Sequence, residues 1–88
     1  MRVIRLSGRE MSVVRAIGFS DAALGSDIQD VTRMEPEDVT DVVNSLIAAG
    51  FVESIPYSEE VGLAELPVTA FEINPAYSHQ LKSAITMR

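Results

Sequence analysis

The chain has 88 residues, 47% of them hydrophobic and 23% charged, with a net charge of -6 and no cysteine. A chain of this length makes one domain with a modest core, burying about 60% of the surface its unfolded form exposes. No apolar run approaches the ~18 residues of a membrane span, the opening MRVIRLSGRE lacks the features of a secretory leader, and disulfide frameworks and thiolate metal sites are excluded.

In chain order, LSGREMSVVRAIG carries the first helix start. Ser7 and Glu10 have the S-x-x-E spacing of a capping box, and Leu6 and Met11 occupy the staple positions around it. Met11, Val14 and Ile17 form one apolar stripe, Gly18 is placed to end the helix, and Arg9 and Arg15 are expected to be solvated. In GSDIQDVTRM, Ser26 is a candidate cap with Gln29 three residues on, and Ile28 and Val31 are expected to face inward over two turns at most.

The next helix opens at Pro36, where a proline in the first turn leaves no amide unpaired. Val39, Val42, Val43, Leu46 and Ile47 follow at i, i+3, i+4, i+7 and i+8, the amphipathic spacing in full, and Gly50 is a natural left-handed stop. The packing expectation is that Val39, Val42, Val43 and Leu46 are buried against Val14, Ile17, Ile28 and Val31.

FVESIPYS and VTAFEI are short runs rich in β-branched and aromatic residues that flank EEVGLAELP. They predict an antiparallel hairpin with a nine-residue tip, with Pro56 placing the first strand at an edge or ending it. Asn74 and Pro75 then cap a last helix, in which Tyr77, Leu81, Ala84 and Ile85 share a face.

The order helix, short helix, helix, hairpin, helix resembles the winged helix-turn-helix domains of bacterial regulators such as the MarR and PadR families. The resemblance rests on LSGREMSVVRAI, on IQDVTRMEPEDVTDVVNSLIAAGFVE and on FEINPAYSHQLKSAI. It implies a mainly α fold with a small antiparallel β-hairpin, in the order α-α-α-β-β-α. It implies one domain over 1-88, with a helix-turn-helix at about 27-50, a wing hairpin at about 51-73 and a C-terminal helix at about 75-86. It also implies a DNA-binding transcription regulator, whose second motif helix enters the major groove. Carried across by position, the outward residues would be Glu37, Asp38, Thr40, Asp41, Asn44, Ser45 and Ala48, of which Thr40, Asn44 and Ser45 can donate to bases.

Charge argues for another partner. Residues 21-72 hold twelve acids against Arg33 alone, a local -11, and three of them, Glu59, Glu60 and Glu65, stand at the hairpin tip. Phosphate contacts need cations near the backbone. The cations lie elsewhere: Arg2, Arg5, Arg9 and Arg15 stand against Glu10 in residues 1-20, a local +3 that DNA could meet only in a non-standard pose. The expected function is a non-enzymatic binding module for a protein, one with a basic surface. Its contact residues would be Glu37, Asp38, Thr40, Asp41 and Asn44 with the tip aliphatics Val61, Leu63 and Leu66, unless the tip folds back and buries them. The runner-up is a small DNA-binding regulator using Arg2, Arg5, Arg9, Arg15, Thr40, Asn44 and Ser45. Self-association through Tyr77, Leu81 and Ile85, or through the wing, is a further expectation, set against the same face completing the core.

Catalytic chemistry has little support. His79 is the only histidine, with no cysteine beside it, and Ser78 points about 100° away on a helix. Glu37, Asp38 and Asp41 are fewer than the six or more oxygens of a tight divalent site, and the glycines form no phosphate loop. The expectation is a cytoplasmic protein with no cofactor, no metal and no membrane partner.

Overall fold

The computed structural model describes residues 4-86. They form seven regular elements: α1 (Gly8–Ile17), β1 (Ala23–Leu24), α2 (Gly25–Thr32), α3 (Pro36–Ala48), β2 (Val52–Ile55), β3 (Ala70–Ile73) and α4 (Ser78–Thr86). Single 3₁₀ turns at Leu66–Val68 and Pro75–Tyr77 lead into β3 and α4. The architecture is mainly helical with a small three-stranded antiparallel sheet, in the order β1-β3-β2.

Local chemistry explains most of the boundaries. At α1 the capping box forms as expected: the Glu10 N–H donates to Ser7 Oγ at 3.1 Å, and the Ser7 N–H donates to Glu10 Oε1 at 2.8 Å. Gly18 and Gly50 stop α1 and α3 at φ values of 77° and 85°, which residues with a Cβ rarely adopt. Asn74 caps the turn before α4, its Oδ1 accepting from the Ala76 N–H, while its amide donates to the Gly50 carbonyl and ties the two helix ends together. Phe51 and Tyr77 seal that junction edge-to-face, with ring centroids 5.1 Å apart.

One sheet face and four helices enclose the core. Val13, Val14 and Ile17 of α1 and Val39, Val42, Val43 and Leu46 of α3 pack with Ile28 of α2 and Leu81 of α4 over Val52, Phe71 and Ile73. The expected apolar phase of α3 therefore holds, with Val39, Val42, Val43 and Leu46 buried and Ile47 partly so. The phase of α2 does not: Val31 is 68% exposed, because this eight-residue helix offers the core little more than Ile28. Nor does Ser26 cap it. The N-cap is Leu24, without a side-chain hydrogen bond, because the last residue of β1 runs directly into α2.

The hairpin is also altered. Its strands pair as expected, Val52 opposite Ile73 and Ile55 opposite Ala70, and β2 lies at the sheet edge before Pro56. But a third strand, β1, pairs with the other side of β3, and the connection from β2 spans residues 56-69 instead of nine. Two residues of β1 between Gly18 and Gly25 carry too little alternation to read as a strand. Tertiary pairing with β3 makes them one.

Candidate functional site

The exposed stripe of α3 runs along Glu37, Asp41, Ser45 and Ala48, and α3 has neither lysine nor arginine. The spacing that buries Val39, Val43 and Leu46 leaves these four on the far side. Asp38 sits at its border and accepts from Arg9 Nη2 at 2.7 Å. Both side chains are about half exposed, so the ion pair contributes roughly 0-1 kcal/mol. Its larger effect is to bring the basic start of the chain onto the acidic helix, so Arg9 is not freely solvated. Arg15 is engaged too: its Nη2 donates to the Ile85 carbonyl at 2.8 Å, satisfying the end of α4. Arg5 is exposed, and Arg2 lies outside the described residues.

Several expected contact residues face the interior. Thr40 is buried, and its hydroxyl donates to the Pro36 carbonyl one turn back at 2.8 Å. It cannot meet a base or a partner from there. Asn44 is part-buried and acts as a clamp: its amide donates to the Val61 carbonyl at 2.9 Å and its Oδ1 accepts from the Val61 N–H at 2.8 Å. The side chain thereby pairs with loop backbone as a neighbouring strand would, which turns it toward the loop.

The same clamp decides the loop aliphatics. Val61, held against α3, is 4% exposed, and Leu66 is 0% exposed. Leu66 fits because Gly25 has no side chain. A Cβ at Gly25 would collide with the Leu66 carbonyl, and the Gly25 N–H donates to Thr69 at 2.9 Å. Val61 and Leu66 are core residues, and of the three tip aliphatics only Leu63, at 49% exposed, is left as a contact candidate. The connection is a folded-back loop pinned to α3 and to α2. Leu81, expected as a dimer residue, is fully buried, and Tyr77 and Ile85 are partly buried against the same core, so that face of α4 completes the fold.

What the structure brings together is smaller than the expected surface: Glu37, Asp41 and Ser45 on α3, Asp38 with Arg9 at the rim, and Leu63 two residues beyond the Asn44 clamp. Among the described residues no group of three or more acidic or histidine side chains is arranged to hold a metal ion, and no helix is long and apolar enough to cross a membrane. No family model, curated protein or solved structure matches the chain.

Proposed function

We propose that this chain is a non-enzymatic winged helix-turn-helix module that binds a protein partner with a basic surface, in preference to DNA. The winged-helix assignment is supported by the order α1-β1-α2-α3-β2-β3-α4, by the three-residue turn between α2 and α3, and by the antiparallel β2–β3 pair that follows α3. In DNA-binding members of such folds the second motif helix meets the major groove.

The partner class rests on one observation: the outward stripe of α3, Glu37, Asp41, Ser45 and Ala48, presents two carboxylates and no cation. DNA affinity comes largely from phosphate neutralisation. Here the helix that would approach the phosphates repels them, Arg9 is drawn to Asp38, and the polar donors Thr40 and Asn44 are already bonded within the fold. A basic protein surface meets the same stripe favourably, and Leu63, exposed two residues beyond the loop residue that Asn44 holds, offers apolar contact.

The test is a titration of mixed-sequence duplex DNA at 50 mM salt, followed by fluorescence anisotropy. No binding tighter than about 100 µM, the weak end of non-specific affinity, is expected. Sub-micromolar binding with a steep salt slope would overturn the proposal in favour of a DNA-binding transcriptional regulator.

A further inference from the structure

The sheet has a second face, turned away from the core, and its composition is unusual for a solvated surface. Strand register puts Leu24, Ala70 and Ile55 in one row across β1, β3 and β2. Directly opposed residues share a face, and Phe71 and Ser54, which form the neighbouring row with Ala23, are buried, so the Leu24 row looks outward. Leu24 is 42% exposed and Ile55 44%. Tyr57 and Val68, each two residues from this row along the chain, are more exposed still. Solvent-facing positions of an antiparallel sheet are ordinarily polar; these are apolar.

The next outward row is Glu53 opposite Glu72. Like charges placed directly across a strand pair destabilise it. Glu72 also lines a shallow cleft with Asp21, between Phe19 and Pro75. An apolar row therefore lies beside three carboxylates that belong to β2, β3 and the segment after α1.

We propose that this outer face docks a segment of a partner protein that carries an apolar side chain and a lysine or arginine about 7 Å apart, the distance of two residues along β3. The apolar side chain covers Leu24, Ala70 and Ile55, and the cation sits among Glu53, Glu72 and Asp21, relieving the cross-strand repulsion. A second copy of this chain fits poorly, since a symmetric contact would set the same glutamates against each other in a chain of net charge -6. The surface shares no residue with the α3 stripe, so it stands whether or not α3 meets a partner.

The test titrates the ¹⁵N-labelled full chain with a short synthetic peptide in which a leucine and a lysine stand two residues apart, separated by serine, so that both share one face of an extended segment, and with its leucine–glutamate counterpart. Amide shifts from the lysine peptide are expected at Leu24, Glu53, Ile55, Ala70, Glu72 and Asp21. The double variant E53Q/E72Q and the single variant I55S should each weaken binding about tenfold, since desolvated apolar anchors and their charge partners hold most of the energy of such contacts. The variant E37Q/D41N should bind as the parent does. All these positions are at least partly exposed, and circular dichroism checks that the variants fold. Shifts centred on α3, equal binding of the glutamate peptide, unchanged affinity in E53Q/E72Q, or no binding at millimolar peptide would each overturn the proposal. So would a dimer in analytical ultracentrifugation that I55S dissolves, which would assign the face to a second copy.

Discussion

Four aliphatic residues alternate along the loop between β2 and β3, and they divide into two environments. Val61 and Leu66 are buried to 4% and 0%, whereas Leu63 and Val68 stand 49% and 79% exposed. Residue type does not separate them, for each pair holds one valine and one leucine. What separates them is whether a neighbouring helix packs directly against the loop backbone beside them. Asn44 pairs with both polar groups of Val61, and Gly25 admits the Leu66 backbone against the start of α2. Burying a loop without such partners would strand its amides and carbonyls, at a cost comparable to the hydrophobic gain. Aliphatics with anchored backbone become core. Those without it become surface, open to a partner.

The contrast is sharpest at Leu66. Leu66→Ala should destabilise the domain by about 2-5 kcal/mol, whereas Leu63→Ala should change it by no more than ~0.5 kcal/mol. Chemical denaturation of both variants measures the gap directly. Equal effects at the two positions would mean that the loop is not pinned as described.

The clamp itself should be worth less than the core residue it seats. Asn44→Ala removes two hydrogen bonds and leaves the part-buried Val61 N–H and carbonyl without their partner, a loss of about 1-3 kcal/mol. Hydrogen exchange at the Val61 amide should rise together with that loss. A destabilised variant in which the Val61 amide stays protected would show that something other than Asn44 holds the loop.

The smallest effect has the opposite sign. Arg33 ends α2 at φ 60°, the left-handed region where side chains are disfavoured, and it alone among the described non-glycine residues has a positive φ. Arg33→Gly should therefore raise stability by up to about 1 kcal/mol, read as a higher melting temperature. A fall would mean that the arginine side chain makes a contact that outweighs the backbone preference.

Much of the framework was legible because its signals are local. The capping box at Ser7 and Glu10, the stop at Gly50 and the helical spacing of five apolar residues in α3 depend on spacing within a few turns, and each appears where the spacing puts it. Helix α2 was read less well. Eight residues cannot establish a period, and Val31, whose spacing from Ile28 suggests the core face, lies exposed. Strand β1 has two residues and exists only because β3 lies beside it.

The candidate surfaces divide along the same line. Sequence alone determined the sign of the α3 face, since a helix whose apolar side is fixed by period has its outward residues fixed too, and Glu37 and Asp41 fall there. Tertiary structure alone decided which polar residues on that helix are free. Thr40 and Asn44 lie within one turn of that stripe, yet one bonds back to its own helix and the other to a loop seventeen residues away. It also decided that Leu24, Ile55 and Ala70, from three separate stretches, form one row. Spacing within an element is a property of the chain. Which distant backbone comes to rest against it depends on how all the elements pack at once.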